Sequence, residues 1–98
     1  MYTSGRVQIQ NGTLITANTE YKITLPQNYK KLLIQARQYV TLKFSFTENE
    51  SGTNFITLKP GNAYWEDNIC HVSDLYVQSP TAGTIIEVLT WYGGDYDK

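Results

Sequence analysis

Cys70 and His71 stand side by side, with Asp67 three residues before the cysteine and Asp74 three after the histidine. A thiol next to an imidazole is the pair that a cysteine nucleophile needs, because the base supplies the thiolate. Adjacency works against that use. Neighbours on an extended chain point to opposite faces, so the two groups do not meet on one strand. His71 is the only histidine and Cys70 the only cysteine, which rules out the common zinc sets and any internal disulfide. The expected roles are a buried cysteine and a loop histidine. Glu66, Asp67 and Asp74, or Asp95 and Asp97 near the end, could gather a calcium ion. A dedicated site needs about six oxygen ligands, and this spacing matches no calcium loop. Glycoside hydrolysis would need two carboxylates set across a cleft. These acids read as solvated surface groups. No glycine-rich phosphate loop is present. The expectation is therefore a non-enzyme with no catalytic residue, no metal and no cofactor.

Two aromatic pairs, Tyr64-Trp65 and Trp91-Tyr92, carry more information. Extended backbone sends the two rings of each pair to opposite faces, one toward a core and one outward. Together with Tyr96 in the polar tail, these residues are the candidate interface: Tyr64, Trp65, Trp91, Tyr92 and Tyr96. Planar aromatics on a small sheet can also stack on sugars.

The elements that must position them are strands. The chain has 98 residues, 41% of them hydrophobic and 13% aromatic, with eight tyrosines, which suits one globular domain. Eight basic against nine acidic residues leave a net charge of -1 with no basic cluster, so nucleic acid is not an expected partner. No run approaches the roughly 20 apolar residues of a membrane helix, and the first residues lack the apolar core of a signal peptide, so synthesis in a cytoplasm without export is expected.

Arg6 to Gln10 alternates in polarity, and Asn11-Gly12 reads as a hairpin turn leading into a second strand, Thr13 to Ala17. Tyr21, Ile23 and Leu25 fall on one face, and Pro26 ends that strand. Lys31 to Arg37 reads as a strand with Leu32, Ile34 and Ala36 inward. Val40, Leu42, Phe44 and Phe46 alternate with Thr41, Lys43, Ser45 and Thr47, the pattern of a half-buried antiparallel strand. Glu48 to Thr53 is a polar loop, Asn54 to Leu58 a strand, and Lys59-Pro60-Gly61-Asn62 a type II turn. Ala63 to Asp67 is a short strand or an irregular crossing.

Leu75 to Ser79 and Thr84 to Tyr92 read as a closing hairpin around Pro80-Thr81-Ala82-Gly83. The last strand is apolar on both faces, with Ile86, Val88, Thr90 and Tyr92 opposing Ile85, Glu87, Leu89 and Trp91. One face is expected to be core and the other an assembly surface. Eight or nine short strands and no long helix predict an all-β antiparallel sandwich of jelly-roll type, with short arms at about residues 1–5 and 93–98.

Residues 20 to 92 also resemble a known group. Ile23-Thr24-Leu25-Pro26, Leu32-Leu33-Ile34-Gln35-Ala36, Leu58-Lys59-Pro60-Gly61, Leu75 to Gly83 (LYVQSPTAG) and Ile86-Glu87-Val88-Leu89 follow one another with a hairpin between. This order resembles small β-sandwich structural proteins of tailed-bacteriophage virions, the capsid decoration or auxiliary head type. The resemblance implies a bacteriophage virion structural protein, present in many copies and assembled in the bacterial host cytoplasm. Its partners would be the major capsid protein or other virion proteins and further copies of itself, as a homo-oligomer, with neither nucleic acid nor membrane. The resemblance supplies no site residue. The rival expectation is a carbohydrate-binding or host-adhesion module of a phage tail or fibre.

Overall fold

The computed structural model describes residues 7–26, 29–66 and 74–91. They form eight strands and, among the described residues, no helix: β1 Val7–Leu14, β2 Tyr21–Ile23, β3 Lys31–Ala36, β4 Leu42–Ser45, β5 Ile56–Leu58, β6 Ala63–Glu66, β7 Leu75–Gln78 and β8 Thr84–Trp91. Two four-stranded sheets result. Sheet I has the order β1-β8-β3-β6 and sheet II the order β2-β7-β4-β5. All pairs are antiparallel. Only β4 and β5 are neighbours both in sequence and in a sheet; every other connection crosses from one sheet to the other. This is the two-layer jelly-roll arrangement, in which strands alternate between sheets so that each turn closes an end of the sandwich.

That alternation corrects two expectations. Leu75–Gln78 and Thr84–Trp91 are not a hairpin, because β7 pairs with β2 and β4 while β8 pairs with β1 and β3. Ser79 to Gly83 is a crossing between layers. It is held by buried hydroxyl groups that bond backbone carbonyls: Ser79 Oγ donates to the Thr41 carbonyl at 2.8 Å, and Thr84 Oγ1 donates to the Thr81 carbonyl at 2.7 Å. Both Ser79 and Thr84 are fully buried. Gly83 has a φ of 78°, which a side chain disfavours.

Asn11-Gly12 is likewise no turn. β1 runs unbroken, with all eight residues in register with β8. Gly12 lies opposite Ile86 and faces the core; a Cβ there would sit 3.0 Å from Cδ1 of Ile23. The glycine serves close packing between layers, the alternative reading of glycine inside a strand. The expected type II turn does form: Gly61 has a φ of 85° and the Asn62 amide donates to the Lys59 carbonyl at 3.1 Å.

The core lies between the sheets. Leu32, Ile34, Ile86 and Val88 of sheet I meet Leu42, Phe44, Leu75 and Val77 of sheet II, and all are buried. The inward sets of β3, β4 and β8 follow the period of two read from the sequence. Phe44 is the central ring, 5.9 Å edge-on from Phe46 and 5.0 Å from Tyr64 across the layer gap. The terminal arms expected at about 1–5 and 93–98 lie outside the described residues.

Candidate functional site: the outer face of sheet I

Period two places every second residue of sheet I on its outer surface, and strand register turns them into rows. Ile9 lies opposite Leu89, Leu89 opposite Leu33, and Leu33 opposite Trp65. One uninterrupted apolar row thus crosses all four strands. The row beside it is Val7, Trp91 and Lys31, and the row on the other side is Asn11, Glu87, Gln35 and Ala63. Val7, Ile9 and Trp65 are 53%, 70% and 56% exposed, the signature of a face that the chain itself does not cover.

Polar groups frame the row. Glu87 accepts from Gln35 Nε2 at 2.8 Å and from Arg37 Nε at 2.7 Å. These bonds from Gln35 and Arg37 hold its carboxyl below the usual carboxylate range. The Lys31 ammonium sits 5.7 Å from the centre of the Trp91 ring, a cation–π distance. Ile9, Leu33, Leu89, Gln35 and Glu87 line an open depression of about 300 Å³.

Trp65 and Trp91 both lie on this face, on β6 and β8. Tyr64 does not. It points between the sheets, packs against Phe44 and donates its hydroxyl to Glu66 Oε1 at 2.5 Å. Extended backbone splits the Tyr64-Trp65 pair, and the tyrosine belongs to the interior. Tyr92 and Tyr96 lie outside the described residues, as do Asp67, Cys70, His71, Asp95 and Asp97. The row members Ile9, Leu33 and Leu89 were missing from the sequence-based interface. Their signal was present, since Leu33 interrupts the inward pattern of β3 with an apolar residue on the outward side.

Two further carboxylates are occupied by structural bonds. Glu66 accepts from Tyr64, while Asp74 accepts from the Leu25 amide at 3.2 Å and pairs with Lys22 at 3.5 Å. Burial, reinforced by the Glu66 carboxylate, pushes Tyr29 and Tyr64 up to about 12, so both phenols stay protonated near neutrality. Among the described residues no three His, Cys, Asp or Glu side chains come close enough to share a metal ion.

Fold and face together define a jelly-roll module with one apolar outer surface. No family model matches the chain, and no curated protein does. Among solved structures it is similar to a de novo designed double-stranded β-helix determined by solution NMR, with a TM-score of 0.52 and 16% identity over 88% of this chain and 97% of that one. That likeness concerns the fold alone.

Proposed function

We propose that this protein is a bacteriophage virion structural protein of the capsid decoration or auxiliary head type. In this reading it docks without catalysis onto the major capsid protein through the outer face of sheet I and also contacts its own copies. The observation that carries the reading is the outward row Ile9, Leu89, Leu33 and Trp65, whose two ends are exposed and whose two leucines are half-buried. Water makes such a row costly on a monomer, and burial against a partner removes that cost. The resemblance of the chain to virion sandwich proteins, and the use of jelly rolls in viral capsids, supply the partner by analogy.

The test is mass spectrometry of purified particles from an infected host, together with cosedimentation of the isolated protein with particles lacking it. Saturable cosedimentation is expected. A protein absent from particles that also fails to bind them ends the proposal.

A second reading has its own observation. Trp65 and Trp91 share one face with Gln35, Arg37 and Glu87, the mix of flat rings and polar groups that suits a sugar. It predicts glycan binding that quenches tryptophan fluorescence and is lost in Trp65→Ala or Trp91→Ala. A glycan array without a single ligand removes it.

A further inference from the structure

Four strands end the two sheets, and one of them is unlike the others. β2 and β5 have three residues each and β6 has four. β2 contains Lys22 and β6 contains Glu66, while β5 runs directly into Lys59-Pro60. Short length, charge and proline are the devices that stop an edge from pairing with another chain. β1 has none of them. It is eight residues long, unbroken in register, and its sequence VQIQNGTL carries neither charge nor proline.

The direction of its backbone groups follows from one bond. The Arg37 amide donates to the Ile85 carbonyl at 2.8 Å, continuing the β3–β8 register by one step. Paired groups alternate along an antiparallel ladder, so residues 85, 87, 89 and 91 of β8 address β3 and residues 84, 86, 88 and 90 address β1. Their partners in β1 are Leu14, Gly12, Gln10 and Gln8. Two further bonds agree, because the Leu14 and Gln8 carbonyls accept from the Gly83 amide and the Thr90 hydroxyl. Hence the N–H and C=O groups of Val7, Ile9, Asn11 and Thr13 point out of the sheet. β1 ends its sheet and has β8 as its one strand partner among the described residues, so no strand faces these groups. The side chains of these same four residues are exposed on the outer face.

We infer that β1 pairs antiparallel with β1 of a second copy about a two-fold axis, joining the two copies of sheet I into one eight-stranded sheet. The occupant is a second copy because the edge complements itself. Outward-directed residues must face outward-directed residues, and centring the axis on Gln10 sets Val7 opposite Thr13 and Ile9 opposite Asn11 of the other copy. All four outward residues of each strand are then paired. With no charge on the strand, no like charges meet across the axis. Two-fold pairing also closes, leaving no growing end.

This inference deepens the own-copy part of the proposed function and does not depend on the capsid part. It also gives the apolar row a consequence. With eight, eight, six and four residues in β1, β8, β3 and β6, at about 3.3 Å per residue and about 4.8 Å between strands, the face is about 400 Å² in plan, short of the ~800 Å² per partner of a standard interface. Pairing at β1 lays two such faces edge to edge, so one dimer meets a repeating lattice with both at once and gains by avidity.

The test uses the whole chain at increasing concentration. Sedimentation should show a species of twice the 11.2 kDa chain mass. Amide hydrogen exchange of residues 7, 9, 11 and 13 should slow as that species forms, while residues 8, 10, 12 and 14 are protected throughout. Asn11→Pro removes an outward N–H and leaves every β1–β8 bond in place. It should weaken the dimer by about tenfold or more, since two bonds are lost by symmetry. A monomer at every concentration overturns the inference. So does a dimer whose four outward amides still exchange freely, a result that needs no variant to fold. Neither outcome bears on particle binding, and absence from particles does not bear on the β1 pairing.

Discussion

The two outer faces of this sandwich are built on the same alternation and have opposite characters. Sheet II places Lys22, Tyr76 and the buried Ser45 in one row and Gln78, Lys43 and Thr57 in the next. Most of these groups are engaged by the chain itself: Lys22 with Asp74, Gln78 with Ser51, Lys43 over the Phe55 ring at 5.0 Å, and the Ser45 hydroxyl with the Thr47 amide. Sheet I presents an apolar row whose ends, Ile9 and Trp65, are more than half exposed. A polar face satisfied from within is finished as it stands in water. An apolar face with nothing over it is finished only by a partner. The difference separates what this chain does for its own stability from what it offers to another molecule.

The comparison requires that both faces rest on one shared interior, and the largest expected effect tests that. Phe44 comes from sheet II but contacts Tyr64 of sheet I. Phe44→Ala should cost about 3–5 kcal/mol, read as a fall in the urea midpoint. A loss below about 1 kcal/mol would mean that the layers are not packed through this ring.

Tyr29 and Tyr64 give the next largest effect. Burial raises both phenols to about 12 from an ordinary value of 10.0. The folded state therefore keeps protons that the unfolded chain releases as pH climbs from 10 to 12. Stability is fully present below pH 10 and falls across that window, by roughly 2 kcal/mol in total after allowance for solvent near Tyr64. Tyr64→Phe should flatten the alkaline limb of a pH series of thermal melts, and an unchanged limb would show that these phenols are not the groups responsible.

Much of this was legible in the sequence. β3, β4 and β8 were readable because their inward residues keep a strict period of two. The apolar outward side of β8 was readable for the same reason. What failed was pairing. Ser79 to Gly83 has the composition of a hairpin turn, but whether a turn joins neighbours or crosses a sandwich is decided by where the strands bury their sides, which local composition does not encode. Asn11-Gly12 failed similarly: the demand for a small residue came from Ile23, a side chain eleven residues away in sequence. The row across sheet I needed register, since Ile9, Leu33, Trp65 and Leu89 are aligned only by long-range pairing.

A smaller effect separates the two faces directly. Trp65→Ser on sheet I should change stability by no more than about 0.5 kcal/mol, because the ring is exposed, yet weaken particle binding by about 2 kcal/mol, or roughly thirtyfold. Tyr76→Ser on sheet II should leave particle binding unchanged. Binding titrations that respond to Tyr76 and ignore Trp65 would reverse the assignment of the faces.

The smallest effect concerns how sheet II was finished from within. Glu20 accepts from the Asn49 amide at 2.7 Å, the Ser51 amide at 3.0 Å and the Ser51 hydroxyl at 2.5 Å. Those bonds tie the β4–β5 loop to the β1–β2 connection, and Ser51, although in a polar loop, is fully buried. Partial burial raises the Glu20 carboxyl, but the bond from the Ser51 hydroxyl and the two amides outweighs it and leaves the group below its ordinary 4.5. A lowered carboxylate stabilises the fold above its unfolded value, and that contribution fades as pH falls through the folded value. Glu20→Ala should therefore cost about 1 kcal/mol at neutral pH, since the buried Ser51 loses its acceptor. The wild type and the variant should converge in stability once the pH has fallen through the lowered folded value of Glu20, where the group is protonated in both folded and unfolded wild-type chains. If the gap instead persists unchanged in acid, the loop is held by packing, and the polar side of the molecule owes less to its charges than its rows suggest.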